Sequence, residues 1–478
     1  MIGIDILPDD VLLEIFDFYL DSPQQDDKWR TSAWQSLVHV CRRWRNIVFG
    51  SPRRLDLQLY CTPLTRSKDR LDVWPAFPLI VVGLVLSPSG TDNIIAALGR
   101  SNRVCEVILH LMSWQSEKIL APMQVSFPEL TALCLLSDDE TPPVIPDSFL
   151  GGSAPRLQTL QLTSILFPGL PKLLLSATQL VKLSLINIPY SGYISPKSMA
   201  TLLSILSNLV KLSLEFRSPQ SRPDWESQSL PPPKRFILSA LNYFRFKGVT
   251  EYLEELVTHI DAPQLHQMLL TFFNQIDFDC PRIAQFIDCT PTLKAVDEVH
   301  VHFYNSAASI TLQSSTSISR FNSVINISCR EPDWQLSSIE QICNHSLHPP
   351  LTVEDLYINH EYSKLVWKDD AIENTLWMQL LRPFTAVKNL YISKEFAPGI
   401  AAALQDLAGG RITEVLPSLQ NILVEGLKPS GPVQGYIGRF IAARQLRVSN
   451  HPIAISVWDK DIDRSGDTYS DESDLESR

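Results

Sequence analysis

No two of the eight cysteines form a Cys-x-x-Cys pair; they are scattered at positions 41, 61, 105, 134, 280, 289, 329 and 343. That spacing indicates neither a zinc site nor a disulfide framework, and it predicts reduced core thiols in a cytosolic or nuclear protein. Basic charge is also in short supply. Against 52 acidic residues stand 41 lysines and arginines, a formal charge of −11, which argues against a nucleic-acid partner. The longest aliphatic run, residues 79–86, is far short of a membrane span and reads as a buried strand. The chain does not open on a basic region followed by an apolar run, so no secretory signal is expected. Catalytic signatures are missing as well. There is no Gly-x-x-x-x-Gly-Lys phosphate loop, no Gly-x-Ser-x-Gly elbow and no His-Glu-x-x-His helix. His300-x-His302 would point two imidazoles to one side of a strand, but no third ligand follows at a suitable spacing. The expectation is a binding protein with no metal and no cofactor, not an enzyme.

What the chain has is apolar surface in two patterns. With 478 residues, 45% of them apolar, it is too long for one ordinary core. Either about three domain-equivalents or one extended repeat domain is expected.

The first pattern occupies residues 5–49, which predict two or three short helices with more apolar residues than so small a unit can bury. Pro8 falls at a first helical position, where its missing N–H costs nothing. Asp9 and Asp10 then oppose the positive end of the helix dipole. Val11, Leu12, Ile15, Phe16 and Tyr19 fall on one stripe. After a breaker-rich loop at 21–27, a second helix is expected to start at Thr31 or Ser32. Its stripe is Trp34, Leu37, Val38, Cys41, Trp44 and Val48, with Arg42, Arg43 and Arg45 late in the helix, near the negative dipole end.

At Leu7-Pro8, at Val11-Leu12-x-x-Ile15-Phe16 and at Leu37-x-x-Val40-Cys41-Arg42-x-Trp44-Arg45 the chain resembles the F-box family, its fungal members in particular. The F-box docks substrate receptors onto SCF-type ubiquitin ligases. The resemblance implies that Leu7, Pro8, Val11, Leu12, Ile15, Phe16, Leu37, Val40, Cys41 and Trp44 form an exposed apolar patch covered by the SCF adaptor subunit. Through the adaptor the chain would reach the cullin.

The second pattern is a recurring phrase: a helix, a turn, then Leu-x-x-Leu-x-Leu or an apolar variant. First positions are Val104, Leu130, Leu157, Leu180, Leu209, Leu241, Leu265, Leu293, Val353, Val387 and Leu419, with Phe321 starting one more copy in the long gap. Periods of 23 to 34 residues with this consensus are close to the leucine-rich-repeat signature, although no regular asparagine follows the strand. Leu55, Leu57 and Leu59 alternate as a strand would. The expected fold is α/β, a small helical F-box at 1–54 followed by an irregular leucine-rich-repeat-like solenoid at 55–458, parallel strands concave and helices convex. The F-box would shield the first repeat and residues 437–458 would close the last. A proline-rich loop at 218–234 interrupts the solenoid, and residues 459–478, with eight acidic and three basic side chains, read as a disordered acidic tail.

Alternate residues of each strand face away from the core and could hold a protein substrate. Lys182, Lys211, Arg245, Tyr357 and Tyr391 are the candidates, because Arg and aromatic side chains dominate interface hot spots. Lys182 and Lys211 are expected to be neighbours, and Tyr357 and Tyr391 to stack one repeat apart. The functional expectation is a substrate-recognition subunit of an SCF-type ubiquitin ligase acting in ubiquitin-dependent degradation, in the cytoplasm or nucleus. The alternative is a non-degradative interaction scaffold on the same solenoid, and a small-molecule ligand in the solenoid stays open.

Overall fold

The computed structural model describes residues 7–20, 27–64, 71–84, 87–219, 235–273, 280–294, 296–314, 323–346, 353–360, 374–408, 412–447 and 452–459. The run Pro231-Pro232-Pro233, Phe321 and the acidic tail beyond Asp459 lie outside the described residues. The chain divides into two compact units, Met1–Ile194 with Thr201–Gln220, and Ser195–Ala200 with Ser221–Arg478.

The first unit opens with three helices, α1 (Asp9–Leu20), α2 (Asp27–Val40) and α3 (Arg42–Gly50). The single helix expected from Thr31 onward is thus two, and it starts earlier. Cys41 makes the break: its backbone is extended (φ −156°, ψ 171°) and its thiol accepts the Trp44 N–H at 3.5 Å, capping α3. Arg42, Arg43 and Arg45 therefore open a helix instead of closing one, at the end the dipole makes unfavourable for cations. Two of them are held elsewhere. Arg43 donates to Asp9 Oδ1 at 2.6 and 3.1 Å and to the Leu7 carbonyl, tying α3 to the start of α1. Arg45 donates to the Val38 carbonyl at 3.0 Å, one of the four carbonyls that the end of α2 leaves without a helical partner.

Seven strands follow in this unit among the described residues: β1 (Leu59–Cys61), β2 (Leu79–Gly83), β3 (Val104–His110), β4 (Ala132–Leu136), β5 (Thr159–Thr163), β6 (Lys182–Ile188) and β7 (Lys211–Phe216). Each pairs in parallel with the next, in chain order. The register sets Leu133, Leu160, Leu183 and Leu212 side by side, and Leu135, Leu162, Leu185 and Leu214 two residues on; all are buried. The first leucine of each phrase makes the turn that launches the strand. Leu130, Leu157, Leu180 and Leu209 each donate their amide to the carbonyl three residues back at 3.1–3.2 Å. The strand expected across Leu55, Leu57 and Leu59 begins only at Leu59. Leu55 and Leu57 are buried in a turn, bonded to the Ser51 and Pro52 carbonyls, with Asp56 between them at φ 44°. Trp34 docks α2 against this start of the sheet: it is buried, donates Nε1–H to the Gln58 carbonyl at 3.1 Å and meets Trp74 and Phe77 edge-on at 5.2 and 5.4 Å.

The second unit carries a short pair, β8 (Phe236–Ile237) with β10 (Ile260–Asp261), and a longer run of nine described strands. These are β9 (Tyr243–Gly248), β11 (Gln267–Phe272), β12 (Glu298–Phe303), β13 (Ala307–Gln313), β14 (Ser323–Ser328), β15 (Asp355–His360), β16 (Asn389–Ile392), β17 (Asn421–Glu425) and β18 (Ala454–Trp458). In space their order is β9, β11, β14, β13, β12, β15, β16, β17, β18. The sequence led us to expect two more parallel copies, at Leu293 and Phe321. Instead the chain passes two strand positions, lays down β12, and returns through β13 and β14 to reach β11. Both β13 pairings are antiparallel, while β14 with β11 and β12 with β15 are parallel. The cause lies in the connection. Only residues 304–306 join β12 to β13, closed by the Tyr304 amide on the Ala307 carbonyl at 2.8 Å, and so short a link allows only an antiparallel neighbour. Ala308, Ile310 and Leu312 of β13 are buried on one face, and Ser309 and Thr311 are buried on the other.

Helix Pro432–Arg447 and β18 end the described part of this unit. The architecture is mixed α/β with a largely parallel ladder and helices between strands. No described helix is long and apolar enough to cross a membrane. No disulfide joins the described cysteines; Cys61, Cys280, Cys329 and Cys343 are buried, but Cys289 is exposed at the end of helix Pro281–Cys289 and is not the core thiol expected.

Candidate functional site

Helix α1 has two apolar faces. Leu12, Leu13, Phe16 and Leu20 are buried, and the Phe16 ring lies 4.7 Å from Trp44. Val11, Ile15, Phe18 and Tyr19 are exposed, Phe18 at 81%. Val40, closing α2, is exposed too. The ten residues expected to form one exposed patch therefore separate. Leu12 and Phe16, both 0% exposed, and Leu37 belong to the unit's own core. Cys41 is half-buried and its thiol caps α3; Trp44 is half-buried against Phe16; Leu7 is half-buried. Pro8, Val11, Ile15 and Val40 are exposed. The sequence stripe merged two faces because consecutive residues lie only 100° apart around a helix. Phe18 was missed, though Val11, Ile15 and Phe18 keep the i, i+4, i+7 spacing of a face.

On the sheet face of the first unit, Lys182 and Lys211 pair in register, Lys211 exposed and Lys182 half-buried. Thr159, Ala132 and Glu106 continue that row across β5, β4 and β3. Burial raises the Glu106 carboxyl above its ordinary value, and burial with Glu106 beside it pushes the Cys105 thiol up to about 11.

In the second unit, one row of the register runs Arg245, Leu269, Val324, Thr311, His300, Tyr357, Tyr391, Leu423, Ser456. Arg245 shares the row with the tyrosines but stands five strands from Tyr357, roughly 24 Å at the usual strand spacing. The structure therefore does not bring it to them. Tyr357 and Tyr391 are half-buried and stack at 4.1 Å with an interplanar angle of 10°. His300 stacks on the other side of Tyr357 at 4.2 Å. Trp458 reaches back across β17, its ring 5.6 Å from Tyr391 and 6.0 Å from Tyr357. Burial, and then the neighbouring Tyr391 hydroxyl, hold the Tyr357 phenol well above its ordinary range.

A polar row flanks the rings. Asn421 donates to Asn389 Oδ1 at 2.7 Å, and Asn389 donates to Asp355 Oδ1 at 2.6 Å. Glu298 continues the row and lies 3.5 Å from the His300 imidazole. Burial raises the Asp355 carboxyl above its ordinary value, helped by the charges of Glu298, Glu354 and Asp297 and opposed by the Asn389 hydrogen bond. Among the described residues no cluster of three His, Cys, Asp or Glu side chains is arranged to hold a metal ion.

A family model described as F-box-like matches residues 4–57. The N-terminal helices are an F-box-like domain. No curated protein matches the chain. Among solved structures, the leucine-rich repeat-containing protein LegL7 from Legionella pneumophila is similar over 80% of this chain and 97% of its own, at 11% identity and a TM-score of 0.24. The repeat architecture beyond the F-box-like domain rests on the strand pairing itself.

Proposed function

We propose that this protein is the substrate-recognition subunit of an SCF-type ubiquitin ligase. The F-box-like domain holds the adaptor and, through it, the cullin; the repeat region holds the protein to be modified. The observation that carries this reading is the second apolar face of α1. Val11, Ile15 and Phe18 are in water on a helix whose opposite side is already packed, and an exposed contiguous apolar face marks an interface. In this reading the chain has no catalytic residue. It supplies proximity to chemistry carried out by the charged ubiquitin-conjugating enzyme, and it works in the cytoplasm or nucleus.

The test is co-purification with the SCF adaptor. Wild type is expected to bring it down stoichiometrically, and the Ile15→Asp/Phe18→Asp variant to bring down none while unfolding at the wild-type temperature, since both side chains are exposed. A folded wild type that retains no adaptor would sink the reading. Adaptor binding without ubiquitin transfer to any bound protein would favour the non-degradative scaffold.

A further inference from the structure

The outer face between β12 and β18 gathers features that one kind of ligand answers. The first is the aromatic group, His300, Tyr357 and Tyr391 stacked across three neighbouring strands, with Trp458 inclined at 55° and 65° to the two tyrosines. The second is charge. Glu298 and Asp355 stand one row to one side of the rings, and Glu425, in register with Trp458, on the other side. Nearby are Asp297, Glu354 and Glu395, against two lysines already engaged: Lys388 with Glu354 at 2.5 Å, and Lys394 with Glu425 and Glu395 at 3.6 and 3.9 Å. The surface is short of cations.

The third feature is independent of both. Asn359 follows Tyr357 on the same face of β15 and is 5% exposed. Ser393 lies level with it, its amide bonded to the Ile358 carbonyl at 3.0 Å, and is 0% exposed. Among the described residues, neither Asn359 Oδ1 nor Ser393 Oγ has a hydrogen-bond partner. A buried acceptor left unpaired costs stability until a donor reaches it.

Carboxylates, unpaired acceptors and aromatic rings together select a flat cation that only donates. The guanidinium has that chemistry, with five N–H donors, no acceptor and a plane that lies against aromatic rings. An ammonium lacks the plane and the fork of donors, and an anion meets the carboxylates. We propose that this face binds an arginine side chain carried by an extended segment of the partner protein. The face opens to admit the guanidinium, which lies against Tyr391 and Trp458 and turns its N–H groups to Glu425 and to Asn359 Oδ1 and Ser393 Oγ, both closed to solvent until then, while a neighbouring residue of the segment meets Asp355 and Glu298. This deepens the receptor reading and rests on it for the identity of the partner as a substrate.

The experiment is fluorescence polarisation of a labelled peptide of repeated Gly-Ser-Arg with the full chain, beside the same peptide with citrulline or lysine in place of arginine. Citrulline keeps the shape and removes the charge. The arginine peptide should bind, and each replacement should weaken it at least about tenfold, as should Tyr391→Leu and Glu425→Gln. Lys118→Ala, on the exposed side of helix Ser113–Leu120 in the first unit, should leave binding unchanged. Equal binding of the citrulline peptide, unaltered binding by a folded Tyr391→Leu protein, or no binding of the arginine peptide at about 1 mM would each overturn the proposal. The adaptor takes no part in this assay, so its outcome and that of the co-purification fail separately: adaptor without peptide binding sinks only the arginine site, and peptide without adaptor binding sinks only the ligase role.

Discussion

The two units use the same phrase and differ in what joins one phrase to the next. In the first, every strand from β1 to β6 lies beside the strand that follows it in the chain. In the second, three consecutive strands are inserted in reverse, β14, β13, β12, between β11 and β15. The lesson concerns what the leucines specify. Leu-x-x-Leu-x-Leu makes a turn, a strand and a buried face in both units, whereas the neighbour is chosen by the connection. A helix between strands returns the chain for a parallel pairing; three residues at 304–306 do not. The outer faces diverge too, with Thr159, Lys182 and Lys211 in one unit and His300, Tyr357 and Tyr391 in the other.

The largest effect should come from the cores. Leu183→Ala in β6 and Ile310→Ala in β13 remove buried side chains, each at a cost of about 2–5 kcal/mol. Hydrogen exchange tells the topologies apart. Leu183→Ala should loosen β5 and β7, its neighbours in both chain and space, and Ile310→Ala should loosen β12 and β14 together. Loss of protection that spares β14 would contradict the reversed order.

Next come the polar row and the stack, which the described residues of the first unit lack. Asn389→Ala removes the hydrogen bonds to Asp355 and from Asn421, and should cost about 1–3 kcal/mol in denaturant unfolding. Thr159→Ala, at the matching strand position of the first unit, should cost under about 0.5 kcal/mol. Tyr391→Leu should cost about 0.5–1.5 kcal/mol beyond its area, by loss of the ring stack.

The smallest effect is electrostatic. Because the folded chain holds the Asp355 carboxyl above its ordinary value, the folded state retains that proton longer than the unfolded state. The carboxyl therefore favours folding least once pH has risen through the raised value. Asp355→Asn should match wild type below the ordinary carboxylate value and unfold at a higher temperature above the raised one, by at most about 2 °C. A difference that grows as pH falls would contradict the cause assigned to the shift.

Much of this was legible in the sequence because it is periodic. The leucine phrases marked most of the longer strands, and Tyr357 and Tyr391, both in the residue after the second apolar position of their phrases, stack as the repeat requires. His300 and Trp458 were not legible as their companions. His300 falls where the phrase slips register, and its place beside Tyr357 depends on the reversal of β12 to β14. Trp458 reaches the tyrosines from two strands away. In the F-box-like domain the stripe of α1 was visible but not its division into a packed and an exposed face, which the partners across the helix decide. The break at Cys41 was hidden because the apolar stripe continues through it, and a thiol is not an ordinary cap.

The most direct test of the central claim is calorimetric titration of the SCF adaptor into the full chain and into its Phe18→Asp variant. The account predicts one-to-one binding by wild type and none by the variant at unchanged thermal stability. Equal binding by both, or no heat from a folded wild type, would contradict the assignment of the exposed face of α1 as the adaptor site.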